Sequence, residues 1–261
     1  MLALALIPGI LLIFAVWKLD TVEKESPVLL LKLFVAGVLV MLVDILLRSL
    51  GLKMLEGFYD GTSIMFFTFL DAFIFTALIE EGGRFIALKL LTWKDKEFNY
   101  TFDAIVYVVS LSVGFLIAEN VVLMIKYGSA VDPSRLIIPL LVQIVISIFM
   151  GYFYGLAKVA EGKGDLKAKK THMMEAIIIP IVFHGIFEMC EKSGSVVFFI
   201  IFVIYVLIMT SAAVAVFINA RKSDTAIEWD STDMKEGDEF EMNVTSLLDG
   251  SEKTGEKGGE Q

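Results

Sequence analysis

The stretch "ALIEEGGRFIALKLL", residues 77–91, places two glutamates, two glycines and an arginine inside a run that is otherwise apolar. A charged side chain near the centre of a membrane helix costs about 2.5–3.5 kcal/mol or more, so such residues usually face a protein interior. Because "FIALKLL" follows directly, burial continues beyond the charges. We therefore predict that Glu80 and Glu81 belong to a buried polar site rather than to a solvated helix end.

The rest of the chain has the composition of a membrane protein. Of its 261 residues 57% are hydrophobic, and 21 are phenylalanine. Apolar runs of membrane-spanning length predict an all-α, polytopic transmembrane bundle of about seven spans within residues 1–218. The predicted spans are 2–17, 28–51, 62–92, 103–125, 135–158, 174–191 and 195–218. "EEGGR" in the third span is expected to kink or break its helix.

Residues 219–261 differ from the spans in composition. They carry 12 acidic and 5 basic residues and few aromatic ones. Such a segment cannot bury enough apolar surface to fold alone, so a disordered acidic tail is predicted. No basic surface suited to nucleic acid is present, and nucleic acid is therefore not expected as a partner.

The distribution of Lys and Arg predicts the orientation of the chain in the cell membrane. Near the span ends, 12 basic residues fall on one side and 5 on the other. Basic residues favour the cytosolic side, so the amino terminus should face outward and the tail the cytosol. The first run, "MLALALIPGILLIFAVW", lacks a basic leader and is interpreted as a retained span in the lipid bilayer.

Polar residues at membrane depth fall on three of the predicted helices. On each helix the spacing brings charged groups to a shared face, because residues three or four apart are neighbours. Gly82, Gly83, Gly114 and Gly185 beside them would let helices approach closely. The polar set is Glu80, Glu81 and Arg84 on the third helix, Glu119 and Asn120 on the fourth, and His184 and Glu188 on the sixth.

Converging carboxylates and an imidazole predict hydrolysis by activated water. A desolvated glutamate can act as a general base, while histidine stabilises an oxyanion or protonates a leaving amine. No GxSxG motif occurs, and Cys190 at a span end is a poor nucleophile. A zinc-like metal held by Glu81, Glu119 and His184 is a less favoured alternative, since "HExxH" is absent, and no cofactor is the preferred expectation.

Other polar residues have simpler explanations. Asp44 has Arg48 four residues later, which predicts a same-face ion pair. Asp71 lies about 180° around an α-helix from Glu80, so both aspartates are interpreted as packing or substrate-groove groups. "GYFYG", residues 151–155, has a GxxxG spacing typical of a packing face. For Glu119 and His184 the alternative is an interhelical hydrogen bond.

The ordered motifs "EEGGR" (80–84), "FLIAEN" (115–120) and "HGIFE" (184–188) resemble the PrsW family of intramembrane proteases. That family is related to the CAAX prenyl endopeptidase and bacteriocin-immunity group. Its pattern matches Glu80, Glu81 and Arg84, then Phe115 and Glu119, then His184. Here arginine stands at 84 where lysine is expected, and Glu188 stands in place of aspartate or asparagine.

The resemblance implies an endopeptidase that cleaves a membrane-spanning protein, such as an anti-sigma factor, on the outer side. With it, Glu80, Glu81, Glu119 and His184 are expected to be catalytic and Arg84 and Phe115 to support them. Asn120 and Glu188 are added as supporting residues because they are polar at membrane depth, and for Glu188 the alternative is a residue that marks the helix end. Buried carboxylates and a histidine would also serve a proton- or cation-coupled transporter. A third hypothesis is a non-catalytic scaffold or immunity protein. A transporter more naturally shows repeated halves, and none is evident, so the protease is favoured.

Overall fold

The computed structural model describes residues 2–57 and 64–228, and over these residues the chain forms seven helical rods. Helices satisfy their own backbone groups, which lipid cannot do. Five of the helices, α2 and α5–α8, are long and apolar enough to cross a membrane, and a shorter apolar helix covers Ala3–Leu19. The predicted all-α membrane bundle is confirmed. The rods are α1 (Leu2–Leu19), α2 (Pro27–Glu56), a composite third rod of α3 (Ile64–Leu70), a π-helical segment (Asp71–Leu78) and α4 (Ile79–Thr92), then α5 (Asp103–Tyr127), α6 (Ser134–Gly162), α7 (Leu166–Lys192) and α8 (Val196–Lys222).

The third rod departs from α-helical geometry at a different place than predicted. "EEGGR" lies within the regular helix α4, so the expected break at the glycines is wrong. The irregular part is the π-helical segment Asp71–Leu78, which ends just before the glutamates. π-Helical turns inside α-helices occur frequently at functional sites. Here the segment sets the rotation and depth at which α4 presents its acids.

Helix α7 is longer than its predicted span of 174–191. It starts at Leu166, where the Asp165 carboxylate accepts a hydrogen bond from the backbone N–H of Ala168 at 2.9 Å. This N-cap satisfies one of the backbone donors left free at the start of a helix. A hydropathy window finds only the apolar part of a helix, so it missed the polar first turns.

The centre of the bundle is α5. Every residue from Asp103 to Ile117 is buried, because α1, α2, α4 and α6 all pack against this helix. A helix that is apolar all round is suited to that position. By contrast, α8 lies at the periphery and exposes most of its side chains, as expected of a helix facing lipid.

Glycines allow close contacts between α5 and its neighbours. A Cβ on Gly114 would collide with the backbone of Phe34 in α2, as predicted for this position. On the other side, a Cβ on Gly151 would lie 2.7 Å from the Cα of Ile105. The "GYFYG" motif of α6 therefore packs against α5 as expected, since small residues let helix backbones approach.

Residues just beyond α8 return to the bundle. The Asp224 carboxylate accepts hydrogen bonds from the Thr101 hydroxyl and the Phe102 N–H, both at 2.9 Å. Ile227 is buried, and its N–H donates to the carbonyl of Asn99 at 2.7 Å. The first part of the predicted tail, 219–228, is thus helical or packed, and the remainder lies outside the described residues.

Candidate active site

Glu81 accepts three side-chain hydrogen bonds on a single oxygen inside the bundle. Its Oε1 accepts hydrogen bonds from Arg84 Nη2 at 2.5 Å, from Gln143 Nε2 at 3.0 Å and from His184 Nδ1 at 2.8 Å. Only 1% of the side chain is exposed. A buried carboxylate is costly unless paired and hydrogen-bonded, and three donors from α4, α6 and α7 meet that need. Glu81 therefore joins three helices at one oxygen atom.

The neighbouring Glu80 is held more loosely. Its carboxylate oxygens lie 3.6 Å from Arg48 Nη1 and 3.8 Å from Arg84 Nη2, beyond hydrogen-bond distance. Its side chain is 7% exposed. Within the described part of the chain, no hydrogen bond to this carboxylate occurs. Two adjacent glutamates thus have different environments over the ranges that the structure describes: Glu81 is fixed through Oε1 while its Oε2 is buried without a partner, and neither oxygen of Glu80 accepts a hydrogen bond.

The predicted supporting residue Phe115 acts through Arg84. The guanidinium carbon of Arg84 lies 4.8 Å from the centroid of the Phe115 ring. Both side chains are buried, and a desolvated cation over a ring face is attracted by the ring quadrupole. Phe115 therefore positions the arginine that contacts both glutamates.

His184 connects the glutamates to a chain of charges that leads towards the end of α7. Its Nε2 lies 3.7 Å from Glu188 Oε1, so the predicted shared face is confirmed. The other oxygen of Glu188 lies 2.9 Å from the ammonium of Lys192, which in turn lies 2.9 Å from Asp71. Glu188 therefore lies in the same charged cluster as His184.

Glu119 and Asn120 separate, although they are adjacent in sequence. Glu119 is half-buried and lies close enough to Glu80 and His184 to interact electrostatically. The Asn120 amide instead donates to the carbonyls of Ala5 and Leu136, at 3.4 and 3.3 Å. Glu119 belongs to the cluster, whereas Asn120 ties α5 to α1 and α6.

Two aspartates lie nearer to the site than predicted. Asp44 and Arg48 are close enough to interact electrostatically, as predicted, but form no direct ion pair, because Arg48 contacts Glu80. Asp44 is buried with an Oδ1 that has no partner among the described residues, and it also lies near Glu119 and His184. Asp71 is not turned away from the site, because it joins the Lys192 pair. The 180° estimate assumed α-helical turns, and the π-helical segment turns less per residue.

Gln143 was missed by sequence reasoning, although a signal was present. It is an amide in the middle of the apolar run "IIPLLVQIVISIF" of α6, so it meets the same criterion of polarity at membrane depth. It lies outside the three motifs, and its hydrogen bond to Glu81 depends on how α6 faces α4.

Comparison with known proteins identifies the protein family of this chain. Residues 25–215 match the family described as "PrsW family intramembrane metalloprotease". The chain belongs to this family. It is 28% identical over 208 residues to Protease PrsW of Clostridioides difficile, covering 77% of this chain and 84% of the relative.

Two further relatives match over a similar extent. Identity to Protease PrsW of Shouchella clausii is 29% over 189 residues, which is 72% of this chain and 82% of the relative. Identity to Protease PrsW of Halalkalibacterium halodurans is 25% over 214 residues, covering 82% and 94%. No solved structure matches the chain significantly. Membership of the PrsW family confirms the predicted resemblance and favours an intramembrane protease over a transporter.

The family's description raises the question of whether these residues fit a metal. Glu81 Oε1 and His184 Nδ1 are hydrogen-bonded to each other and are thus not directed at a common centre. Across residues 2–57 and 64–228, the ligand atoms of Glu81, Glu119 and His184 do not come within 4.8 Å of one another as a group. As arranged, the three donors do not fit a three-ligand metal centre.

A cavity on one side of the bundle borders the Asp71–Lys192 ion pair of this cluster. It has a volume of about 370 Å³, lies between α2, α3 and α7, and is lined by Asp71 and Lys192 together with Glu56 and Phe67. His184 lies about 12 Å along the axis of α7 from Lys192, at 1.5 Å per residue. In a hydrocarbon layer of about 30 Å, the cluster therefore lies below the surface on the side where α7 ends.

Proposed function

We propose that this protein hydrolyses a peptide bond of a membrane-spanning protein with water activated by Glu80. The observation that supports this assignment is the contrast between the two adjacent glutamates. Glu81 Oε1 is occupied by three donors, so it serves to hold Arg84 and His184 in place. Glu80 is buried, but its contacts with cations are 3.6 Å and longer, so the lone pairs of both oxygens are available to a water molecule.

In this proposal Glu80 takes a proton from a water molecule held between it and Glu119. The water oxygen then forms a bond to the carbonyl carbon of the substrate. His184, held at Nδ1 by Glu81, and the guanidinium of Arg48 stabilise the oxyanion that develops. As the carbon–nitrogen bond breaks, the proton on Glu80 passes to the leaving amine, so that water is consumed and no covalent enzyme intermediate forms.

The test compares membranes that contain the wild-type protein or the Glu80→Gln variant. Mass spectrometry of new protein amino termini should reveal peptides that depend on the wild-type protein and are absent from the variant. The matched control is Glu175→Gln, since Glu175 is on α7 but pairs with His172 outside the cluster. Unchanged cleavage in Glu80→Gln would overturn the assignment of the base.

A glutamic mechanism also predicts resistance to chelation. A substrate found in that way, incubated with purified protein in detergent, should be cleaved at the same rate after exhaustive EDTA treatment. Loss of cleavage that returns when Zn²⁺ is added would overturn the glutamic mechanism while leaving the protease function intact.

The substrate class and the side of cleavage are further parts of the proposal. We infer a single-span protein of the anti-sigma-factor type, cleaved near the outer surface, with the amino terminus of the enzyme outside and its tail in the cytosol. The positive-side count supports this orientation, and the cavity beside Lys192 then opens outward. Reporter enzymes fused at either end of the chain would test it: activity of an exported reporter at the carboxyl terminus would overturn the orientation.

A further inference from the structure

A second buried acidic cluster lies at the opposite end of the bundle from the candidate active site. Asp20 and Glu25 belong to the connection between α1 and α2, and Asp103 is the first residue of α5. Their ligand oxygens lie within 4.8 Å of one another, and the three residues are 1%, 3% and 1% exposed. About 24 Å along α5 separates Asp103 from Glu119. The two clusters are therefore distinct.

Hydrogen bonds from the protein hold one side of this cluster and leave the other side free. The Tyr107 hydroxyl donates to Glu25 Oε2 at 2.7 Å. The backbone N–H groups of Asn99 and Tyr100 donate to Asp103 Oδ2 at 3.1 and 2.7 Å. These contacts fix Glu25 and Asp103 so that their remaining oxygens share a small volume with Asp20.

Several oxygens in that volume have no partner. Both carboxylate oxygens of Asp20 and Oδ1 of Asp103 are buried and form no hydrogen bond within the described residues. An unpaired buried carboxylate is strongly unfavourable, and buried charges in proteins are normally paired or coordinate a metal. The unpartnered oxygens are therefore a separate observation that points to a missing cation.

The one lysine beside the cluster is used elsewhere. The ammonium of Lys24 donates to the backbone carbonyls of Trp17, Lys18 and Asp20 and lies 5.1 Å from the centroid of the Trp17 ring. In this way it caps the end of α1, and burial raises the pKa of Asp20 to about 6 although the nearby charge of Lys24 acts to lower that pKa. Further acids, including Glu97 and Asp224, lie close enough to add to the negative charge.

We propose that Asp20, Glu25 and Asp103 bind a hard divalent cation that joins the α1–α2 connection to the start of α5. The donors are all oxygen atoms, with no histidine or cysteine, which favours Ca²⁺ or Mg²⁺ over zinc. A site built from buried protein carboxylates suits Ca²⁺ better than Mg²⁺, which usually keeps several of its water ligands. The ion would neutralise the cluster and stabilise this end of the bundle.

Terbium luminescence offers a direct test with the full chain in detergent. Tb³⁺ takes Ca²⁺ sites, and here Trp17 and Tyr107 are next to the proposed ligands: the Trp17 indole donates to the Glu25 carbonyl at 3.1 Å. We expect saturable luminescence from one site at pH 7.5 after treatment with EDTA and its removal. Ca²⁺ should displace Tb³⁺ at lower concentrations than Mg²⁺.

Substitutions of the proposed ligands test where the ion binds. Asp20→Asn and Asp103→Asn should each weaken binding at least about tenfold, consistent with the loss of one charged ligand. Asp20→Asn should still fold, because neither Asp20 oxygen has a partner to lose. Glu175→Gln and Glu80→Gln should bind as the wild type does, the latter because Glu80 lies in the other cluster. Absence of saturable Tb³⁺ or Ca²⁺ binding at millimolar concentrations, or equal binding in Asp20→Asn, would overturn the proposal.

Discussion

The two buried acidic clusters of this protein are compensated in opposite ways. At the candidate active site, each contact of the glutamates is with a side chain: Arg84, Arg48, Gln143 or His184. In the α1–α2 cluster three carboxylates face one another, and the ammonium of Lys24 hydrogen-bonds to backbone carbonyls at the end of α1. The first cluster contains its own cationic side chains, whereas in the second the compensating charge is assigned to the proposed bound ion. Burial of an acid therefore does not reveal how its charge is balanced.

The largest effect should come from Glu80, the proposed general base of the candidate active site. Glu80→Gln should reduce cleavage by about 10²–10⁴-fold, the usual contribution of a general base, because an amide cannot accept the proton of water. Thermal unfolding should stay close to that of the wild type, since Glu80 makes no hydrogen bond. Initial rates of substrate cleavage and melting curves in detergent measure the two quantities.

Glu81→Gln is the matched comparison within the same cluster. This variant should lose both cleavage and stability, because Glu81 accepts three hydrogen bonds. A result in which Glu81→Gln is stable but inactive while Glu80→Gln is unstable would reverse the roles assigned to the pair.

The next largest effect should come from replacing Arg84, the arginine that lies between the two glutamates of the candidate active site. Arg84→Met leaves two buried carboxylates without their shared guanidinium, and breaking such a pair costs about 3–5 kcal/mol. The free energy of unfolding in mixed detergent micelles measures this cost. Arg135→Met, at an exposed arginine, should differ little from the wild type. Combining Arg84→Met with Glu81→Gln should recover part of the loss, and no recovery would contradict charge compensation as the cause.

A smaller effect is expected for the amide that sequence reasoning missed. Gln143→Leu removes one donor to Glu81, and hydrogen bonds to charged groups contribute about 1.5–3 kcal/mol. A double-mutant cycle with Glu81→Gln isolates the pair. A coupling energy of zero in that cycle would show that the contact contributes no stability.

The smallest change should occur in the α1–α2 cluster when cations are absent. In EDTA, Asp20→Asn should be as stable as the wild type or more stable by about 1 kcal/mol, because it removes an uncompensated buried charge. Added Ca²⁺ should raise the melting temperature of the wild type and leave that of the variant unchanged. Clear destabilisation of Asp20→Asn in EDTA would make the two clusters alike and remove the contrast.

Much of the candidate site could be predicted from single residues. Glu80, Glu81, Glu119 and His184 are each anomalous in their own apolar run, so the cost of burying them was enough to select them without any knowledge of packing. The i, i+4 spacing of His184 and Glu188 correctly placed both on one face of α7. The order of the three motifs along the chain led to the right family.

The errors share a physical cause, which is that helix rotation and contact partners are tertiary properties. Asp71 was assigned to the wrong face because a π-helical segment changes the angle between it and Glu80. Spacing placed Arg48 near Asp44 correctly, yet the direct contact of the arginine is with Glu80 on another helix. Asn120, next to a site residue in sequence, points to different helices.

The sequence by itself determined that this chain forms membrane helices and which polar residues they carry, because hydropathy and the cost of burying charge act on each segment separately. Only the tertiary structure decided that Glu81 is held by three helices, that Glu80 keeps free lone pairs, and that Asp20, Glu25 and Asp103 meet. Those outcomes depend on distances of a few ångströms between segments that are far apart in sequence. Electrostatic and hydrogen-bond energies fall off over such distances, so small rotations and shifts of the helices select the partners.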